Sequence, residues 1–172
     1  MFYENGLCFS CKQCSCCCGK EPGFVYLSQS DLTNLSQWFK LTEEIFIEKY
    51  CRKIPYYDGT YVLCLKEKEN YDCVLWDNGC IAYEARPTQC STYPFWSRIL
   101  SSKEMWNEES LSCPGINNGK SWTKDEILTQ LNKYKNNEPL HIKKEESLDR
   151  RNSSNCKFIT SNLLYIKNNY KG

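Results

Sequence analysis

The sequence predicts a small, irregular α+β domain that metal staples together, with several short helices and a small antiparallel sheet. Thirteen of its 172 residues are cysteines, and twelve of these lie between residues 8 and 113. Short amphipathic helical patterns alternate with short runs of β-branched and aromatic side chains. The mean hydropathy is −0.63, so we expect a hydrophobic core too thin to hold the fold unaided.

Three helices are expected from apolar residues at spacings of three and four. Ser30 is the expected N-cap of the first helix, which covers residues 31–39. Thr42 is the expected cap of the second helix, because two glutamates follow it in the first turn. Ser121 is the expected cap of the last helix, and the apolar side of that helix carries Ile127, Leu128, Leu131 and Tyr134.

A small antiparallel sheet is expected from three short runs. Residues 60–65, 73–76 and 80–83 contain many β-branched, aromatic and aliphatic side chains, a composition typical of strands. The tripeptide at 77–79, Asp-Asn-Gly, predicts a tight turn between the second and third runs. Pro87 then occupies the expected first position of a further short helix.

Two regions are expected along the chain. Residues 1–136 form the cysteine-rich metal-binding domain, and residues 137–172 form a polar, weakly ordered C-terminal tail rich in Asn, Lys, Ser and Glu. A short apolar stretch at residues 163–166 is a candidate for docking onto the domain. His141, the single histidine, lies in the tail and is expected to be a solvent-exposed bystander rather than a ligand.

Charge and hydropathy argue against several classes of partner. The net charge of +1 provides no electrostatic footprint for nucleic acid or an anionic membrane. The sequence has no apolar run of about 18 residues, the length that spans a bilayer, and its first residues do not resemble a secretory signal. We therefore expect a reducing cytoplasm, where dense cysteines indicate metal ligation; a disulfide scaffold is the alternative.

The strongest signal is a run of cysteines with the spacing Cys11-x2-Cys14-x2-Cys17-Cys18. A CxxC turn brings two thiolates together, which suits a soft cation, and a third thiolate at the same spacing resembles the start of a bacterial ferredoxin run. Adjacent side chains usually diverge, so Cys17 and Cys18 are expected to serve two metal ions or two corners of one cluster. Later cysteines raise the set to eight, enough for two four-coordinate sites: Cys73, Cys80, Cys90 and Cys113.

The chain closely resembles the CxxCxxCC cysteine-cluster family, also called YkgJ-like, in three segments: FSCKQCSCCC, CVLWDNGCIAYEARPTQCSTYPFW and CPG. The resemblance covers about residues 9–116. Members are described as zinc- or iron-chelating domains, and a related cluster region occurs in flagellin lysine methylases. Two departures are Cys16, where the family tolerates any residue, and Val74, where it usually has Pro. The resemblance implies eight metal ligands: Cys11, Cys14, Cys17, Cys18, Cys73, Cys80, Cys90 and Cys113.

Other side chains are expected to surround the ligands. Arg86 has five donors and a positive charge that would offset the charge of several thiolates; a salt bridge to Glu84 is the alternative. Tyr83 is expected to shield the centre from water, although packing in the core is the alternative for it and for its neighbours Tyr93, Phe95 and Trp96. The sequence pattern indicates no acid, base or nucleophile for catalysis.

Five cysteines are outside the expected ligand set. Cys51 and Cys64 lie in predicted secondary structure and are expected to be ordinary core residues. Cys156 lies in the tail, where a role as a ligand is least expected. Cys8 and Cys16 are close enough along the chain to substitute for a ligand within the cluster.

Three functions remain open from the sequence. The first is a cytoplasmic protein that holds iron, as an iron–sulfur cluster or as iron alone, or zinc through about eight cysteines, in support of redox or protein-modification chemistry. The second is a purely structural zinc module for interaction with a protein partner. The third is a metal-delivery protein, which would need exposed and exchangeable thiolates.

Overall fold

The computed structural model describes residues 1–14, 16–19 and 22–142. These residues form five helices and two small antiparallel sheets, which confirms the small α+β domain. No helix among them is long and apolar enough to cross a membrane. The helices are α1 (Gln29–Phe39), α2 (Glu43–Tyr50), α3 (Thr88–Thr92), α4 (Lys103–Ser112) and α5 (Lys124–Lys135). The strands are β1 (Leu7–Phe9), β2 (Cys51–Pro55), β3 (Tyr61–Leu65), β4 (Ile116–Trp122) and β5 (His141–Ile142).

Helix α1 begins after Ser28 rather than at the expected cap Ser30. The hydroxyl of Ser28 accepts a hydrogen bond from the backbone N–H of Asp31, and the Asp31 carboxylate accepts one from the N–H of Ser28, both at 3.1 Å. This reciprocal pair satisfies two backbone donors that the helix start would otherwise leave unpaired. The pattern of Ser followed three residues later by an acid was visible in the sequence.

The other helix starts follow the same logic. Thr42 is the N-cap of α2, as expected. Helix α5 begins after Thr123 rather than Ser121, because Thr123 and Glu126 form a second reciprocal cap. Helix α3 is one position shorter at its start than expected, since Pro87 is its N-cap rather than its first helical residue.

The two sheets are built from distant parts of the chain. Strand β1 pairs with β4, and an irregularity shifts the register after Cys8. Strand β3 lies in the centre of the other sheet, between β2 and β5. Only β3 was expected among these five strands, because each of the others obtains its partner from a remote segment.

The predicted strands at residues 73–76 and 80–83 are wrong: these residues form turns with isolated bridges. The backbone N–H of Cys73 donates to the carbonyl of Cys18 at 2.6 Å, and the N–H of Trp76 donates back to the carbonyl of Cys73 at 2.8 Å. Backbone donors that a strand would use are thus committed to the cysteine run and to a local turn.

Residues 137–142, assigned from the sequence to the tail, make contacts with residues of the preceding segments. The N–H of Leu140 donates to the carbonyl of Leu27 at 2.8 Å, and the Leu140 carbonyl accepts from Leu63 at 3.1 Å. His141 then pairs with β3, and its Nδ1 lies 2.9 Å from the Thr60 hydroxyl. The boundary after residue 136 stays a prediction, and Cys156 and residues 163–166 lie outside the described residues.

The core consists of two hydrophobic clusters. One joins β1, β4, α4 and α5 around Phe95 and Trp106. The other joins α1, α2 and β3 around Phe46 and Leu63. Cys113 lies in the first cluster, whereas Cys73 and Cys80 pack against the second. The predicted ligands therefore border both clusters.

Candidate metal centre

The cysteine run meets the later cysteines at Gly19. The hydrogen bond between the Cys18 carbonyl and the Cys73 N–H joins the two segments immediately before this glycine. Gly19 is buried, and a Cβ atom at this position would collide with Oδ1 of Asp72. A larger residue at this position would therefore require the Asp72 carboxylate to turn away.

An ion pair holds the segment that follows the run. The Glu67 carboxylate accepts from the N–H of Gly23 at 2.6 Å and from Nη2 of Arg52 at 2.5 Å. The same Arg52 nitrogen donates to the carbonyl of Gly23 at 3.1 Å. The backbone of Glu67 also bridges to Cys73. Glu67 therefore connects the end of the cysteine run to the start of the later set.

Helix α3 carries Cys90 and is anchored at its first turn. Oδ1 of Asp31 accepts from the N–H and from the hydroxyl of Thr88, at 2.8 and 2.9 Å. The side-chain amide of Gln89 accepts from the Tyr26 N–H at 3.1 Å and donates to the Phe24 carbonyl at 2.7 Å. Two side chains thus set the position of a helix that is too short to be stable alone.

Cys17 and Cys18 converge rather than diverge. Their Sγ atoms are 3.8 Å apart. A tetrahedral site with Zn–S bonds of about 2.3 Å has sulfur–sulfur edges of about 3.8 Å. This pair therefore already has the spacing of two ligands of one ion, whereas the expectation that Cys17 and Cys18 serve two metal ions or two corners of one cluster stays a prediction.

The pKa values of Cys17 and Cys18 depend on each other. A hydrogen bond from Cys18 is the main cause that lowers the pKa of Cys17 to about 7. The same bond, with burial, raises the pKa of Cys18. One proton thus leaves the pair near neutral pH, and the second is held strongly.

Five of the eight expected ligands lie in one electrostatic neighbourhood. Burial is the main cause that raises the pKa of Cys73, Cys80 and Cys90. Their charges also act on one another and on the adjacent pair. We call this set the thiol group, and its members are Cys17, Cys18, Cys73, Cys80 and Cys90, all free thiols.

Arg86 faces the thiol group. Its positive charge lowers the pKa of Cys17, Cys80 and Cys90, which partly opposes the effect of burial on the last two. Its guanidinium carbon lies 3.6 Å from the centre of the Tyr83 ring, and its buried Nε has no hydrogen-bond partner among the described residues. The alternative salt bridge to Glu84 is not present in this part of the chain.

The other three expected ligands are placed differently. Cys11 is exposed and acts electrostatically on Cys80. Cys14 is partly buried, and its carbonyl lies 3.8 Å from Sγ of Cys16. Cys113 is only 8% exposed and interacts with the hydroxyl of Tyr93. These three cysteines are therefore placed differently from the thiol group, and the set of eight ligands stays a prediction.

A carboxylate that the sequence did not indicate approaches the thiol group from α4. Glu109 accepts from the Tyr93 hydroxyl at 2.8 Å and from Nη2 of Arg98 at 2.9 Å, and its charge raises the pKa of Cys17. Burial and the hydrogen bonds to Cys113 and Glu109 raise the pKa of Tyr93. The sequence analysis missed Glu109 because it did not predict α4.

The remaining cysteines mostly agree with expectation. Cys51 and Cys64 are buried in β2 and β3, and burial raises their pKa values to about 12 and about 11. They are core residues. Cys8 is exposed on β1, and Cys16 is partly buried within the run.

Soft thiols near an unpaired guanidinium N–H fit a thiophilic metal such as zinc or iron. Within residues 1–14, 16–19 and 22–142, no three Cys, His, Asp or Glu side chains are arranged closely enough to hold one ion as they stand. The sulfurs of the thiol group would therefore have to close in on an ion. Of these cysteines, Cys18 and Cys73 are already joined through their backbones by a hydrogen bond of 2.6 Å.

The cysteine run, the turns that carry Cys73 and Cys80 and the short helix that carries Cys90 are typical of one class of protein, the cysteine-rich metal-chelating domains. Residues 10–114 match the family model CxxCxxCC, which is described as "Putative zinc- or iron-chelating domain". The chain belongs to this family, which confirms the resemblance found in the sequence. No solved structure matches the chain.

Proposed function

We propose that this protein binds iron or zinc at the thiol group, with Arg86 offsetting the negative charge of the thiolates. The observation that carries the proposal is the 2.6 Å hydrogen bond from the Cys73 N–H to the Cys18 carbonyl, because it brings the cysteine run to the later cysteines. The charge of Arg86 acts on thiols of both segments. Four thiolates around one divalent ion leave a net charge of about −2, which a nearby cation stabilises.

Four members of the thiol group would be the ligands of one ion. Cys17 would ionise first, because its pKa is about 7, and would provide the first ligand. Cys73, Cys80 and Cys90 would follow, since a metal ion displaces protons from buried thiols. The unpaired Nε–H of Arg86 would donate to one of the bound sulfurs. Cys11 and Cys14 lie on the exposed side and would complete a larger cluster or a second site.

We propose an iron–sulfur cluster, with structural zinc as the second candidate. When bound, a cluster would supply one-electron redox chemistry, whereas zinc would supply folding energy alone. We also propose a reducing compartment such as the cytoplasm, because the thiol group requires reduced cysteines.

The metal is tested by purifying the full chain anaerobically and measuring its metal content, acid-labile sulfide and absorption spectrum. A brown protein with sulfide equimolar to iron would establish the cluster, and a colourless protein with stoichiometric zinc would establish the structural site. A matched variant with Ser at Cys17, Cys73, Cys80 and Cys90 should lose the metal. Wild-type protein that takes up neither iron nor zinc would overturn the proposal.

Arg86→Met is expected to shift metal binding toward higher pH. Removing the charge raises the pKa of Cys17, Cys80 and Cys90, so protons compete more strongly with the metal. In the wild type, protons already compete with the metal for Cys73, Cys80 and Cys90 at neutral pH, because their pKa values are raised. The affinity should fall more steeply below about pH 7, where Cys17 also takes up its proton. We call the midpoint the pH at which metal affinity has fallen to half of its highest value. It should be higher in Arg86→Met than in the wild type by roughly one pH unit.

The pH profile of metal affinity, measured by competition with a chelator, checks this expectation. Arg86→Lys is the matched comparison, because it keeps the charge and removes the Nε–H. It should stay near the wild-type midpoint. Equal midpoints for the wild type and Arg86→Met would show that Arg86 does not act on the ligands.

A further inference from the structure

Asp31 is a buried carboxylate outside the thiol group that binds three separate parts of the chain. Its residue is 3% exposed. Oδ1 accepts both donors of Thr88, and Oδ2 accepts from the N–H of Ser28 at 3.1 Å and from Nδ2 of Asn137 at 2.9 Å. Four donors satisfy the carboxylate, so its burial is favourable only while all three segments stay together.

The partner at Oδ1 lies two residues before Cys90. Thr88 is the first residue of α3, and the hydroxyl of Thr92 at its other end donates to the Thr88 carbonyl at 2.7 Å. The helix has five residues, fewer than a helix needs to persist by itself. The direction in which Cys90 points therefore depends on how Thr88 is held.

Asn137, the partner of Oδ2, lies in the segment that precedes β5. Asn137 follows α5, and three residues later Leu140 makes backbone hydrogen bonds with Leu27 and Leu63. The segment 137–142 and helix α3 thus bind opposite oxygens of one carboxylate. If either Thr88 or Asn137 were lost, the buried Asp31 carboxylate would lack some of its hydrogen bonds while still bound to the remaining partner.

We infer that Asp31 is a positioning residue that sets Cys90 for metal binding, and that Asn137 couples the C-terminal segment to this role. The part concerning the metal rests on the proposed function. The part concerning Cys90 itself does not, because it can be measured in the metal-free protein.

The first experiment measures the alkylation rate of individual cysteines in the reduced, metal-free full chain by peptide mass spectrometry. In Asp31→Asn an N–H₂ group replaces one of the two oxygens and faces either the donors of Thr88 or those of Ser28 and Asn137. The loss of these hydrogen bonds should loosen α3, so Cys90 should react about tenfold faster. Cys51 and Cys64 should keep their wild-type rates. Asp125→Asn, the same change at an exposed position on α5, should alter none of the three rates.

The pattern of rates separates positioning from general stability. An unchanged rate at Cys90, or an equal rise at Cys51, Cys64 and Cys90, would overturn the inference, since general unfolding exposes all three. Asn137→Ala removes one donor and leaves Thr88 bound, so a smaller rise confined to Cys90 is expected. No change at Cys90 in that variant would remove Asn137 from the coupling.

The second experiment uses metal affinity, measured by competition with a chromophoric chelator under conditions where every variant is folded. Asp31→Asn should weaken binding about tenfold in the wild-type background and not at all in a Cys90→Ser background. An equal loss in both backgrounds would show that Asp31 does not act through Cys90. Wild-type protein without metal would defeat the proposed function, whereas the alkylation rates would still decide the role of Asp31.

Discussion

Cys90→Ser is expected to weaken metal binding about a hundredfold and to remove much of the stability that the metal provides. Structural zinc sites contribute about 10–16 kcal/mol of binding free energy, so one thiolate of four accounts for on the order of 3 kcal/mol. Cys90 is placed by α3 among the other thiols, and its charge interacts with those of Cys73, Cys17 and Cys80.

The measurement is metal content together with thermal unfolding, with and without added metal. Wild-type protein should unfold at a higher temperature when metal is present, and Cys90→Ser should show a much smaller difference at the same metal concentration. Cys51→Ser is the matched control, because Cys51 is buried in β2 and is not part of the thiol group. It should lower the free energy of unfolding by about 1–3 kcal/mol through a buried hydroxyl and leave the metal content intact. A Cys90→Ser protein that binds metal as tightly as the wild type would remove Cys90 from the ligands.

Gly19→Ala is the second change with a large expected effect. The new Cβ would collide with Oδ1 of Asp72, so the Asp72 carboxylate would have to turn away from the cysteine run. Its Oδ2 would then lose the 2.8 Å hydrogen bond from Nδ2 of Asn70. We expect a loss of about 1 kcal/mol in stability and a loss of metal affinity of up to about tenfold, since Asp72 directly precedes Cys73.

Gly23→Ala is the matched control, because a Cβ atom at Gly23 meets no atom within 4 Å. Chemical denaturation and chelator competition should show Gly23→Ala close to wild type. The double change Gly19→Ala with Asp72→Ala should recover most of the loss, because it removes the carboxylate that causes the collision. If Gly19→Ala alone behaved as Gly23→Ala does, the close approach at Gly19 would not matter to the site.

The positions of most helices could be predicted from local sequence patterns. Apolar spacing correctly placed α1, α2 and α5, because each packs one face on a neighbour. Their starts at Ser28 and Thr123 were also encoded locally, by an acid three residues beyond each cap. Helix α4 was missed, since among its residues only Trp106 is buried and the apolar stripe is too narrow to recognise.

The sequence alone determined the family and the fold class and indicated which cysteines are candidate ligands. It could do so because the types of the ligands and their spacing along the chain are local properties. Only the tertiary structure joined Cys73 to Cys18, because their backbone hydrogen bond links residues that are distant along the chain. It also showed the convergence of Cys17 with Cys18. The sequence indicated Asp31 only as part of a helix cap. Its contacts with Thr88 and Asn137, and the contact of Gly19 with Asp72, are made by residues distant along the chain.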